Sequence, residues 1–130
     1  MLRLALIFGV FGLTQCDADE TVSAYGAADQ VWVLTELDGV TFSARATLTF
    51  PETGKIAGEG PCNRYSGVMT TPYPWFDAGQ VVSTRMACPD LAAESAFFAS
   101  LSGATQSEVA GDILILRNDA GDEMVFKASD

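Results

Sequence analysis

The fold of this chain of 130 residues is decided by the stretch Gly58-Glu59-Gly60-Pro61-Cys62-Asn63-Arg64-Tyr65-Ser66-Gly67 and by the later stretch Ser83-Thr84-Arg85-Met86-Ala87-Cys88-Pro89. Glycine within a strand marks a bulge or a close approach of two backbones, and proline cannot donate the hydrogen bond of a regular ladder position. Gly58, Gly60 and Pro61 therefore predict a sharp corner at which a strand ends. Cys62 and Cys88 each lie where one kind of local structure gives way to another.

The N-terminus has the pattern of a secretion signal. Arg3 precedes an apolar run over residues 4–13, which is too short to span a bilayer of about 30 Å as a helix. We predict a signal peptide over residues 1–15. The run ends in Leu13-Thr14-Gln15-Cys16, which resembles the bacterial lipobox and predicts that Cys16 receives a diacylglycerol group. The alternative is ordinary signal cleavage near Ala24, which would discard Cys16.

The next segment, residues 16–30, is acidic and built of small residues, and it has no period of 2 or 3.6 residues. Such composition predicts a flexible, lipid-anchored tether. We expect an exported, periplasmic protein whose lipid is its only contact with the bacterial membrane. All 17 acidic residues follow the apolar run, so binding to nucleic acid through charge is disfavoured.

Residues 31–130 predict a single domain. The predicted strands are 31–37, 46–50, 55–58, 65–70, 80–84, 106–110, 113–116 and 124–126. Alternation over Ala46–Phe50, which puts Thr47 on the wet face, and the turn Pro51–Gly54 indicate a hairpin. One helix with an apolar face is predicted over Pro89–Ser102. We expect an α+β, mainly β fold, in which an antiparallel sheet curls into a partly open barrel with one packed helix.

An aromatic segment interrupts the predicted strands. Pro72-Tyr73-Pro74-Trp75-Phe76 combines two prolines with three aromatic residues and therefore predicts an irregular loop. One interpretation places Trp75 and Phe76 as a plug over the open end of the sheet. The other exposes them as a surface that contacts a partner, since aromatic side chains are enriched in binding hot spots.

The residue types present restrict the chemistry. The chain has no histidine, which removes Ser-His-Asp and Cys-His catalysis. Neither the short Cys-x-x-Cys spacing of structural zinc nor a phosphate-binding glycine loop occurs, so we expect no metal site, no cofactor and no catalytic residues. Glu94 is interpreted as a capping or ion-pair residue of the helix. A glycosidase-like pair of carboxylates stays open, because 17 acidic residues always offer some pair.

Cys62 and Cys88 are the two cysteines outside the leader. In an exported domain, such a pair favours a structural disulfide over free nucleophiles. Closing a loop of this length stabilises a fold by roughly 3.5 kcal/mol when the effect is assigned to the entropy of the unfolded chain.

These motifs carry a family resemblance. The pattern Gly-x-Gly-x-Cys-Asn-x-Tyr-x-Gly at Gly58–Gly67, the run Ser83–Pro89 and the Trp-x-Leu opening at Trp32–Leu34 resemble the META domain family of HslJ-like heat-shock proteins, in its bacterial lipoprotein form. The resemblance covers essentially all of residues 31–128. It implies a small exported domain with a curled antiparallel sheet and a helix, linked in some members to heat shock or novobiocin resistance, and no general catalytic activity.

We therefore expect a monomeric, non-enzymatic domain of the cell envelope that acts in stress response or envelope maintenance through contacts with an unknown protein or small ligand. The candidate binding residues are Asn63, Arg64, Thr84, Arg85, Trp75 and Phe76. For Asn63 and Thr84, the alternative is that they satisfy backbone groups at the corner. A second hypothesis is an inhibitor-like or chaperone-like module that uses the aromatic loop 72–76. A third is an uncharacterised enzyme, whose turnover would depend on a free Cys62 or Cys88.

Overall fold

The computed structural model describes residues 18–129, and in these residues nine strands, one α-helix and one 3-10 helix form the fold. The predicted signal peptide, 1–15, and the predicted lipidation site, Cys16, lie outside the described residues. The elements are the 3-10 helix Val22–Tyr25, β1 Trp32–Leu37, β2 Val40–Thr41, β3 Thr47–Leu48, β4 Lys55–Glu59, β5 Arg64–Val68, β6 Val82–Ser83, α1 Leu91–Gly103, β7 Gln106–Ala110, β8 Ile113–Arg117 and β9 Glu123–Ala128. Between Ala18 and Ser129, no helix is long and apolar enough to cross a membrane.

The strands form two antiparallel sheets. One has the order β2-β1-β9-β8-β7, with β3 also paired to β1, and the other has the order β4-β5-β6. A single bridge between Thr49 and Ala57 links the sheets along β3 and β4. The expected mainly β, α+β class with antiparallel pairing is confirmed. The expected single curled sheet is divided in two sheets that this one bridge joins, and the described strands do not close into a barrel.

Local sequence signals placed most of the elements. Each of the eight predicted strands overlaps an observed one, and the predicted helix differs from α1 by two residues or fewer at each end. The additional strand is β2, which follows the turn Asp38-Gly39. Both turn residues have positive φ, 52° and 78°, as a two-residue hairpin turn requires. Thr47 is buried instead of wet, because the end of β4 packs against it. Its hydroxyl accepts a hydrogen bond from Glu59 N at 2.9 Å, which satisfies the buried oxygen.

The predicted tether is wrong for residues 21–27. Val22 and Ala27 are fully buried in the hydrophobic core. The indole Nε1 of Trp32 donates a hydrogen bond to Ala27 O at 2.9 Å, and Tyr73 N donates to Glu20 O at 2.7 Å. A single 3-10 turn is too short to show a hydrophobic period, so the composition of this segment predicted coil.

The core lies between the sheets and the helix. Its largest fully buried side chains include Trp32, Leu48, Phe97, Leu114 and Phe126, which come from both ends of the chain and from α1. The helix therefore packs its Phe97 side onto the sheets. Its N-terminal half faces the predicted corner between β4 and β5, where the candidate site lies.

Candidate functional site

A disulfide fastens the corner to the chain segment that leads into the helix. The sulfur atoms of Cys62 and Cys88 are bonded, and their Cα atoms lie 5.6 Å apart. Cys62 lies in the turn between β4 and β5, and Cys88 lies three residues before α1. The predicted structural disulfide is confirmed, so neither thiol is free in this structure.

A buried carboxylate holds the corner from the other side. Glu94, on the first turn of α1, is 3% exposed. Its Oε1 accepts hydrogen bonds from the backbone N–H groups of Cys62 at 3.0 Å and Asn63 at 2.6 Å, and its Oε2 accepts one from Asn63 Nδ2 at 2.7 Å. Glu94 therefore binds the corner instead of capping its own helix or pairing with a cation. A Cβ at Gly60 would lie 2.7 Å from this Oε1, which explains the glycine there.

Asn63 is committed entirely to internal contacts. Its side chain is 5% exposed, and its Oδ1 accepts hydrogen bonds from Thr84 Oγ1 at 2.9 Å and Met86 N at 2.6 Å. Its Nδ2 donates to Met86 O at 3.0 Å as well as to Glu94. Two bonds at each end saturate the amide group. The alternative interpretation, in which Asn63 and Thr84 satisfy backbone groups at the corner, describes Asn63, which bonds both Met86 N and Met86 O. The hydroxyl of Thr84 bonds the Asn63 side chain instead.

Two adjoining depressions flank this polar network. The larger, of about 470 Å³, is lined by the corner residues 59–64 together with Thr84 and Met86. The smaller, of about 330 Å³, is bordered by residues 83–87 and by Leu91 and Phe98 of the helix. We call the two depressions together the corner cleft. Sequence reasoning missed Met86, Leu91 and Phe98, because only the fold brings them beside the corner.

The two candidate arginines line different parts of the corner cleft. Arg64 borders the larger depression and Arg85 the smaller. Thr84 N donates to Arg64 O at 3.1 Å, so Arg85 is the next residue along the paired chain. Within residues 18–129, the recorded salt bridges involve neither arginine. Both side chains are exposed and can meet a ligand.

The aromatic segment is divided between core and surface. Phe76 is 2% exposed, and its N–H donates to Thr105 O at 2.9 Å. Trp75 is 56% exposed, although its backbone bridges to Gln106 of β7. The prediction of Phe76 as a partner-contacting residue is therefore wrong, because this side chain fills the core as a plug. Trp75 stays available at the surface.

In the described residues, the pKa values of Tyr65, beside the corner, and of Arg117, away from it, are shifted. Burial raises the pKa of Tyr65 well above its ordinary value, and its phenol donates to Thr47 O at 2.5 Å. The hydrogen bonds that Arg117 donates to the carboxylates of Glu123 and Glu108 raise its pKa, and Arg117 is not among the residues of the corner cleft. Residues 18–129 contain no group of three or more cysteine and carboxylate side chains placed to hold a metal ion.

Similar structures agree with this fold. A protein from Burkholderia xenovorans determined by NMR is 27% identical, with a TM-score of 0.65 over 83% of this chain and 87% of its own. A DUF4847 family protein from Bacteroides vulgatus, determined by crystallography, is 12% identical, with a TM-score of 0.65 over 82% of this chain and 96% of its own. The latter likeness shows the fold alone. No curated protein matches this chain significantly.

The family model of the META domain matches residues 26–130, which include the corner, the disulfide and the whole of both sheets. The match begins five residues before the predicted domain boundary, within the segment that packs onto the fold. The resemblance to the META domain family, inferred from the two cysteine-bearing motifs, is thereby confirmed. The chain belongs to the META domain family.

Proposed function

We propose that this META domain is a non-enzymatic binding module of the bacterial cell envelope, with an HslJ-like role in stress response or envelope maintenance. Its binding site is the corner cleft, and its ligand is a protein segment or a small molecule. The observation that carries the proposal is the combination of an open cleft with a frame that is cross-linked by Cys62–Cys88 and bonded through Glu94. A rigid frame lowers the entropic cost of binding.

The walls of the corner cleft suit a ligand with both apolar and anionic groups. Met86 is 65% exposed and Leu91 is also exposed, and both line the smaller depression, where they offer apolar surface to a ligand. Arg85 lies at the same depression and offers a planar guanidinium for a carboxylate or phosphate. Because the side chain of Asn63 is taken up by internal bonds, we expect the ligand to contact Met86, Leu91 and Arg85, with Arg64 at the larger depression.

A photo-crosslinking residue in place of Met86 tests this proposal in cells. The matched control carries the same residue in place of Val40, which is 68% exposed and lies on β2, outside the corner cleft. We expect an adduct from position 86 that is absent from position 40 and that weakens when Arg85 is changed to Ala. Equal adducts at the two positions would overturn the corner cleft as the site.

The envelope location rests on the predicted lipid at Cys16. Growth with an alkyne-tagged fatty acid should label the full chain, and Cys16→Ser should abolish the label. An unlabelled wild-type protein whose mass matches cleavage near Ala24 would establish ordinary secretion instead.

The second candidate function is an inhibitor-like or chaperone-like module that uses loop 72–76. Only Trp75 of the two predicted contacts is exposed, so this surface is smaller than the sequence indicates. Trp75→Ala should abolish partner capture without unfolding the domain if this candidate is correct. The enzyme hypothesis has the least support, because it needs a free thiol at Cys62 or Cys88 and the structure joins the two.

A further inference from the structure

The N-terminal segment places one aromatic surface of the domain next to the predicted lipid anchor. We propose that the aromatic face, defined as Tyr25, Tyr73 and Trp75, rests in the headgroup region of a zwitterionic bilayer when the chain is anchored at Cys16. This inference rests on the proposed lipidation and adds to it an orientation of the domain at the membrane.

The connection between anchor and domain is short. Glu20 O accepts a hydrogen bond from Tyr73 N at 2.7 Å, and Val22 is fully buried. Four residue steps separate Cys16 from Glu20, and even a fully extended chain covers only about 14 Å in four steps. A free tether over 16–30 could reach about 50 Å by the same rule. The backbone of Tyr73 is therefore held close to the lipid.

The attachment point itself carries an aromatic ring, because Tyr73 is the residue that bonds to Glu20. The rings of Tyr25 and Tyr73 are stacked with their centroids 4.5 Å apart, and Tyr25 is largely exposed. Trp75 follows two residues after Tyr73 and is also largely exposed. Pro74, between them, accepts a hydrogen bond from Ser107 N at 2.7 Å, which holds the segment against β7. Tyrosine and tryptophan favour the membrane interface because each joins an apolar ring to a polar tip.

The charge of the surroundings selects the kind of lipid. Asp19 and Glu20 precede the aromatic face in sequence, and Asp77 follows it. The whole chain has a formal net charge of −10. Anionic lipids repel such a surface, whereas zwitterionic headgroups do not. The occupant of the aromatic face is therefore a zwitterionic lipid surface.

Tryptophan fluorescence tests the orientation directly, because the chain has only two tryptophans and Trp32 is fully buried. The lipidated protein isolated from bacterial membranes is inserted into phosphatidylcholine vesicles whose acyl chains are brominated near the headgroup. We expect Trp75 emission to shift to the blue and to fall at least twofold. Trp75→Phe, which leaves Trp32, should show neither change. Vesicles rich in phosphatidylglycerol should give weaker quenching.

A control tryptophan distinguishes an oriented domain from one that tumbles at the surface. In the Trp75→Phe background, Val82→Trp puts an exposed tryptophan on β6 of the other sheet. It should stay unquenched, and equal quenching at positions 75 and 82 would overturn the orientation. A blue shift of Trp75 emission on addition of a protein, without lipid, would overturn the proposal and assign the aromatic face to a protein partner.

The readouts separate this inference from the anchoring on which it rests. If mass spectrometry finds Cys16 present without lipid, coupling of its thiol to a maleimide lipid supplies an anchor at the same residue, since Cys62 and Cys88 are bonded to each other. Quenching of Trp75 in that preparation supports the aromatic face although natural lipidation has failed. Membrane-bound protein without Trp75 quenching overturns the aromatic face although anchoring holds. A mass that shows loss of Cys16 by cleavage overturns both.

Discussion

Asn63 donates two hydrogen bonds to the carboxylate of Glu94, one from its backbone N–H at 2.6 Å and one from its side-chain Nδ2 at 2.7 Å. Both residues are buried, and they lie 31 positions apart in the chain. This contact joins the helix to the corner of the sheet, which the disulfide also joins to the segment just before the helix.

Glu94→Gln should destabilise the domain by about 2–3 kcal/mol. The amide can keep one oxygen for the two backbone donors, but its NH₂ group then faces Asn63 Nδ2, and two donors meet. Urea denaturation followed by circular dichroism gives the free energy of unfolding. Glu108→Gln is the control, because its pair with Arg117 is exposed and such pairs contribute less than about 1 kcal/mol. Equal losses in the two variants would contradict the structural role of Glu94.

Replacing both Cys62 and Cys88 by alanine should lower the free energy of unfolding by roughly 3.5 kcal/mol. The bond joins residues 26 positions apart, and its loss frees that loop in the unfolded chain. Reductant should lower the stability of the wild-type protein by a similar amount and leave the double variant unchanged. A reductant-sensitive double variant would show that the effect lies elsewhere.

Gly58→Ala should cost about 2–3 kcal/mol. A Cβ at this position would overlap Thr47 O and lie 2.8 Å from the phenol oxygen of Tyr65, so β3 and β4 would have to separate. The matched control is Gly103→Ala at the end of α1, where a Cβ would meet no atom within 4 Å. That change should be neutral or stabilise by up to about 1 kcal/mol, because alanine favours helix. Thermal unfolding of the two variants compares them directly.

Tyr65 should make the domain less stable in alkali. Its pKa in the unfolded chain is about 10, and burial raises its pKa in the folded protein. Below about pH 10 the Tyr65 phenol is protonated in both the folded and the unfolded chain, so it does not lower the free energy of unfolding. At higher pH only the unfolded state releases it, and stability falls by up to about 1.4 kcal/mol per pH unit. Urea midpoints as a function of pH measure this slope.

The slope belongs to Tyr65 only if its removal abolishes it. Tyr65→Phe should be less stable at neutral pH, since it lacks the bond to Thr47 O, but it should lose the additional alkaline slope. Tyr25→Phe alters a largely exposed tyrosine and should retain the slope. A Tyr65→Phe protein with the wild-type pH dependence would refute the assignment.

Val22→Ala should destabilise the domain by about 1–3 kcal/mol, because Val22 is fully buried in the core. Val40→Ala is the control at an exposed valine, and it should change stability by less than about 0.5 kcal/mol. If Val22→Ala is as neutral as the control, residues 21–27 do not contribute to the folded core in solution.

Features set by neighbouring residues were predictable from the sequence, whereas contacts between distant residues were not. Turn residues and alternation identified the strands, since these signals act between neighbours in the chain. The corner was predictable because Gly58, Gly60 and Pro61 restrict their own backbone. The role of Glu94 was not, because its partners lie more than 30 residues away and its helical position also suits a cap. The same limit applies to Trp75 and Phe76, which look alike in sequence and differ only in what covers them.

The sequence by itself determined the family, the pairing of Cys62 with Cys88, the mainly β class and the position of the helix, since each depends on motifs or on local backbone preferences. Only the tertiary structure decided that Glu94 and Asn63 bond to each other, that Phe76 is buried beside an exposed Trp75, and that Val22 belongs to the core. Burial and long-range hydrogen bonds depend on which surfaces meet, and a linear pattern does not specify that.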